Sequence, residues 1–239
     1  MMSDVWTVIW RERKTLFRYR GSRLRTVFSF LVPVVMVAVY FPWQTDDWVD
    51  SYVSLFSAIV PMMMVLLTVP DSFAGERERH TLGTLLASRL PDRAILLGKL
   101  AVSVALGFWM MLGVLMLALV TANTSHWDGQ VHFYSVKVLL VDLGFGLVVA
   151  TLIAGAGVLI SLRASTVQEA QQLLGAAVMT PPIVLGIIAM IFRERIADLV
   201  EGLGATQAVL IIMAALAAAG LALVTAATAR FRRARLILD

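Results

Sequence analysis

The chain has 239 residues, 59% of them hydrophobic and 15% charged, with a mean hydropathy of +0.84 and a formal net charge of +4. That apolar excess excludes an ordinary soluble domain, and the absence of cysteine excludes a disulfide framework, a Cys-ligated zinc and an iron–sulfur cluster while leaving the redox compartment open. The positive charge is assigned to membrane topology and anionic lipid headgroups, so no nucleic-acid partner is inferred.

The opening stretch, MMSDVWTVIWRERKTLFRYRGSRLR, places its charges before a long apolar run, with no small-residue cleavage pattern close behind a short apolar core. It does not read as a cleaved signal peptide. At about 100° per residue, Met2, Val5, Trp6, Ile9, Trp10, Leu16 and Phe17 share one arc, and Arg11, Lys14, Arg18 and Arg25 lie opposite. Arg13, Arg20 and Arg23 fall on or at the edge of the apolar arc, where long stems snorkel to headgroups. Residues 1–23 therefore predict an amphipathic helix on the cytoplasmic membrane surface, anchored by Trp6, Trp10 and Phe17. A basic tail that only sets topology is the plainer reading.

Six apolar runs follow, at about 24–43, 52–70, 99–122, 136–162, 173–192 and 207–229. A hydrocarbon core takes roughly 20 apolar residues per helix, so residues 24–229 read as an all-α, polytopic domain of six transmembrane helices. An even count puts both termini on one side. With the termini inside, seventeen of the 20 Lys and Arg residues are cytoplasmic, and only Lys137, Arg193 and Arg195 are outside. The positive-inside rule thus predicts cytoplasmic termini and a basic cytoplasmic tail at 230–239, and the location expected for this multi-pass chain is the plasma (inner) membrane. Trp43, Trp48 and Tyr52 suit an aromatic belt at the outer interface. Gly146, Ala150, Ala154, Gly155 and Gly157, and again Ala214, Ala218 and Ala222, permit close helix approach within the chain or against a second membrane subunit. Thr180-Pro181-Pro182 predicts a kink or break in the fifth span.

The longest polar stretch between spans is GERERHTLGTLLASRLPDRAILLGK, residues 75–99. Pro70 is expected to end the second span, opening a cytoplasmic loop over 71–98. Glu76, Arg77, Glu78 and Arg79 alternate in sign, as a solvated surface does. Thr81 is a candidate N-cap for a short helix through Ser88 that exposes Leu82, Leu85 and Leu86 at helical spacing. Pro91 stops it and Asp92 caps the next helix. The leucines either fold back on the protein's own membrane face or dock in a partner's groove.

Farther along, His126 and His132 share the outer loop SHWDGQVHFY with Asp128, and a metal site there would need a third ligand at the right distance. Asp142 is the one carboxylate well inside a span, which makes it a candidate substrate-path or gating residue. Snorkelling to the outer face and a structural hydrogen bond are the alternatives, and Lys137 lies roughly 140° away around the helix. STVQEAQQ, residues 165–172, reads as a short polar turn in which Glu169 is a second candidate contact for a cytoplasmic partner, or simply solvated.

The 75–99 stretch resembles the signature of ABC-2-type exporter permeases, in which an acidic-basic run, a Gly-Thr-Leu-Glu-x-Leu-Leu segment, a small residue and proline, and a later Gly-Lys join the second and third spans. Glu76, Glu78, Thr81, Leu82, Leu85, Leu86, Ser88, Pro91, Gly98 and Lys99 match, whereas His80 stands where the pattern has glycine and Gly83 where it has glutamate. The resemblance implies that this loop holds a coupling helix seated in an ATP-binding subunit. It also implies two copies of that ATPase and a dimer of six-span chains, identical in the simplest case. Short re-entrant helices between the fifth and sixth spans belong to the same pattern, and FRERIADLVEGLGATQ, residues 192–207, is the segment available for one; an amphipathic surface loop is the other reading. Gly98-Lys99 lacks a glycine five residues before Gly98 and is followed by Leu100, so no phosphate cradle forms there. ATP and Mg are therefore expected on a separate ATPase subunit, with no cofactor on this chain. No protease or lipase motif is present. The haem-exporter membrane subunit of cytochrome c maturation shares the size and loop pattern, and a membrane scaffold or enzyme without an ATPase partner is the reading from another class.

Overall fold

The structure is a computed structural model that describes residues 6, 8, 10, 31–81, 91–195, 202 and 204–231. The expectations placed on Phe17, on Leu82, Gly83, Leu85 and Leu86, on residues 196–201 and on the tail from residue 232 lie outside the described residues. Among the described residues every regular element is helical, as a chain in lipid requires when its backbone must satisfy itself. Helix α1, Leu31–Gln44, holds the described part of the first expected span. Five further helices are long and apolar enough to cross a membrane: α2 Tyr52–Glu78, α3 Asp92–Ser125, α4 Val136–Ser161, α5 Val167–Ile191 and α6 Ala205–Arg230. Trp6, Val8 and Trp10 are also helical. Both tryptophans are exposed while Val8, about half a turn round, is buried.

Several boundaries differ from the sequence expectation. Pro70 does not end α2. Its backbone is helical (φ −56°, ψ −37°), and the chain continues through a π turn, Asp71–Gly75, into a last turn, Glu76–Glu78. Helix α3 begins at Asp92, so Lys99 lies inside it and is buried. Pro91, not Asp92, occupies the N-cap position, leaving Asp92 in the first turn, where its charge suits the helix N-terminus. Helix α5 begins at Val167 and absorbs most of the stretch read as a turn. It also runs through Pro181 and Pro182 to Ile191 without a break. The two prolines remove only the rungs to the carbonyls of Ala177 and Val178; in lipid the neighbouring rungs have no water to compete for them.

The described chain divides into two units, Met1–Val65 with Leu90–Ala150, and Leu66–Arg89 with Thr151–Asp239. In the first, Val37 and Ala38 of α1 pack on Val60 of α2 and Val114 of α3. They sit in a π turn, Met36–Tyr40, just ahead of Pro42, which cannot donate the next rung. Gly107 of α3 admits the backbone of Pro61, whose Cα and O would lie 3.1 Å from a β-carbon at that position. Trp48 and Val49, in the turn after α1, pack on Ala118 and Ala122 of α3. Trp48 is thus buried rather than part of an outer belt, because its indole nitrogen has a partner inside; Trp43 remains exposed.

In the second unit glycines set the helix crossings. A β-carbon on Gly155 of α4 would lie 3.0 Å from Leu223 of α6, one on Gly220 of α6 would lie 3.2 Å from Leu152 of α4, and one on Gly157 would lie 2.7 Å from Val69 of α2. Gly155 and Gly157 are thereby committed to contacts inside the chain. Ala214, Ala218 and Ala222 are exposed. Only 6% of the apolar windows of α5 and α6 is buried, against 28–39% for α2, α3 and α4, so α5 and α6 are the helices least covered by the chain itself.

Candidate functional site

The last two turns of α2 carry the acidic-basic run, and their geometry starts from the π turn. Where a regular helix would bond the Ala74 amide to the Pro70 carbonyl, the Ser161 hydroxyl at the end of α4 is inserted. It donates to Pro70 O (2.9 Å) and accepts from Ala74 N (2.9 Å) and Phe73 N (3.3 Å). A side chain placed in the ladder this way holds a helix distortion open. The Phe73 ring is buried against Phe231 after α6, with centroids 5.2 Å apart.

From this wedge the charged residues reach the ends of two other helices. Arg77 donates to the carbonyls of Leu162 (2.9 Å) and Ala164, which follow α4, so a cation sits where the helix dipole is negative. Glu78 accepts from Val167 N, the first residue of α5, at 3.3 Å, placing an anion at a positive helix start. Asp71 and Arg79 form an ion pair at 2.7 Å. Gly75 keeps the path between them clear, since a β-carbon there would lie 2.8 Å from the Asp71 carboxyl carbon. The run is therefore not a uniformly solvated surface: Glu76 and Arg77 are half-buried, and Glu78, Arg79 and His80 are exposed.

Helix α2 ends in a Schellman motif. The Thr81 amide donates to Glu76 O (2.9 Å) and the His80 amide to Arg77 O (3.0 Å), with His80 at φ +55°. That left-handed slot favours glycine, which gives a physical reason for the glycine that the resembled pattern has at this position. Thr81 also hydrogen-bonds through its hydroxyl to the Glu76 carboxylate. The structure thus places Glu76, Glu78, His80 and Thr81 in one helix terminus, and Pro91 is the N-cap residue of α3.

Glu169 lies at the start of α5. Thr166 accepts from its amide (3.2 Å), and its carboxylate accepts from Ser165 N (2.8 Å) and Ser165 Oγ (2.7 Å). This is a variant of the capping box in which the carboxylate bonds the residue before the N-cap, readable in the sequence as Thr166-x-x-Glu169 but taken there for a turn. Ser161 and the capping role of Arg77 had no such signal: nothing local marks a serine at the end of an apolar run as a wedge.

In the first unit, the loop after α3 makes two separate pairs, His126 with Asp46 (2.8 Å) and His132 with Asp128 (3.0 Å). The Gln130 amide, and then the His132 hydrogen bond, hold the Asp128 carboxyl below its ordinary value. Tyr134 accepts from the Trp48 indole (3.0 Å) and donates to Leu115 O (3.2 Å). Burial pushes its hydroxyl up to about 12, so it remains a proton donor. Asp142 is 0% exposed, which rules out snorkelling. Lys137 is exposed and makes no ion pair with Asp142 among the described residues.

No curated protein matches the chain. A family model described as ABC-2 type transporter matches residues 3–196, a span that takes in the first five of the expected helical runs and the whole 75–99 stretch. With that match and a helical architecture suited to many membrane crossings, the chain belongs to the ABC-2 type transporter family and is the membrane-embedded permease part of a transporter.

Proposed function

We propose that this chain is the permease half of an ATP-driven exporter whose energy comes from a separate ABC ATPase carrying ATP and Mg. Two ATPase copies dock on a homodimer of this chain in the plasma (inner) membrane, with both termini cytoplasmic and Trp6, Trp10 and Phe17 lying in the lipid interface. The ATPase contact is the segment 81–91, through Leu82, Leu85 and Leu86, with Glu169 as a second contact. ATP binding closes the two ATPases, the segment moves with them, and the spans open a path for substrate.

One observation supports this most strongly. The base of the loop is not free to swing: Arg77 grips the carbonyls after α4, and Glu78 meets the first amide of α5. A displacement of the loop is therefore passed to α4 and α5 rather than absorbed by a flexible hinge. The test is co-purification of the tagged chain with its ATPase, comparing wild type, Leu85→Asp plus Leu86→Asp, and Arg77→Gln. The double variant is expected to lose the ATPase while its membrane fold survives. Arg77→Gln is expected to keep the ATPase bound but lower ATP-dependent transport about tenfold, the effect of removing a charge-assisted contact of about 1.4 kcal/mol. Binding that is indifferent to the leucines, or no ATPase at all, would sink the reading.

A further inference from the structure

The first unit buries a group of polar side chains whose hydrogen-bonding capacity is unmet. Both oxygens of Asp142 lack a hydrogen-bond partner of ordinary geometry among the described residues, and so do the hydroxyls of Ser51 and Ser57. The three serines Ser51, Ser54 and Ser57 are spaced by three along the 3-10 turn Tyr52–Ala58 and its N-cap. In a 3-10 helix of about three residues per turn, positions i and i+3 eclipse, so the serines form one stripe. From this stripe the Ser54 side chain comes within reach of the Asp142 carboxyl, but its hydroxyl proton points to Ser51 O at 2.9 Å. The Tyr134 proton is likewise directed away, to Leu115 O. Ser54, Ser57 and Asp142 are all fully buried.

A carboxylate taken out of water without a counter-charge is strongly unfavourable, and native proteins rarely leave such groups unpartnered. The side chains of this group, Asp142 and the three serines, carry oxygen atoms, those of the carboxylate formally anionic, and no Lys, Arg or His pairs with Asp142 among the described residues. An all-oxygen set of this kind suits a hard, compact positive charge. We propose that Asp142 and the serine stripe form an intramembrane binding site for a compact cation, either a free monovalent ion or the ammonium group of a carried amphiphile.

The site is tested on the full-length chain alone, purified in detergent, so its outcome is separable from that of the ATPase assay. Thermal unfolding is followed while sodium chloride replaces choline chloride at constant ionic strength, and in parallel with octylammonium against octanol. Wild type is expected to be stabilised by sodium over choline, or by octylammonium over octanol, at concentrations at least about tenfold lower than the control. The first outcome identifies a free ion and the second a carried amine. Asp142→Asn is expected to abolish the preference, Ser57→Ala to weaken it about threefold or more, and the exposed control Lys137→Gln to leave it intact. If Asp142→Asn does not fold, Ser57→Ala and Ser54→Ala carry the comparison. No preference in wild type, or one that survives these substitutions, overturns the proposal.

Discussion

Helix α4 carries two fully buried polar side chains that are treated in opposite ways. Ser161 uses its hydroxyl completely, donating once and accepting twice, and holds the α2 backbone in a π turn. Asp142 is just as buried but has neither carboxylate oxygen in an ordinary hydrogen bond. A satisfied buried polar group rigidifies its surroundings, whereas an unsatisfied one is costly until something occupies it. The contrast separates a structural device, Ser161, from the carboxylate on which the cation proposal rests.

The largest expected effect breaks the satisfied end. Ser161→Val leaves Pro70 O and the Phe73 and Ala74 amides without their partner while its branched side chain keeps the ladder from closing. A loss of about 3 kcal/mol is expected, read as a lower Tm in detergent and faster amide exchange at Phe73 and Ala74. An unchanged Tm would mean that α2 reverts to a regular helix at no cost. Next comes Arg77→Gln, which removes two charge-assisted bonds to the carbonyls after α4. It should destabilise the chain by about 2 kcal/mol, with increased proteolysis of the 162–166 connection.

The unsatisfied end predicts the opposite sign. In choline buffer, free of sodium and amines, Asp142→Asn should be as stable as wild type or more stable by about 1–2 kcal/mol, because it removes an uncompensated buried charge; a clear drop in Tm would show that Asp142 already has a structural partner. The smallest effect concerns the end of α2. His80→Gly should raise stability by less than about 1 kcal/mol, the relief of the left-handed backbone being partly offset by the entropy of glycine. His80→Val, which tolerates φ +55° poorly, should lower it, and equal Tm values for the two would remove the Schellman assignment.

The residues themselves made the helical membrane architecture legible, because long apolar runs have one means of satisfying their backbones in lipid. The 75–99 stretch also pointed to the family, since its motif is local and ordered along the chain. Helix ends were less legible. Pro70, Pro181 and Pro182 looked like stops, yet a proline forbids only its own rung, and whether a helix continues depends on what its neighbours supply. The capping box at Thr166 and Glu169 was written in the sequence and could have been read there.

What only the tertiary structure decided lies between segments far apart in the chain. Ser161 meets residues almost ninety positions earlier, Arg77 closes the end of α4, Trp48 turns inward to Tyr134, and Ser54 comes within reach of Asp142. No local pattern encodes such pairings. Amino-acid type and spacing determine which backbone a segment can adopt in lipid, but the partner of a buried polar group is fixed only when packing brings distant segments within hydrogen-bonding range.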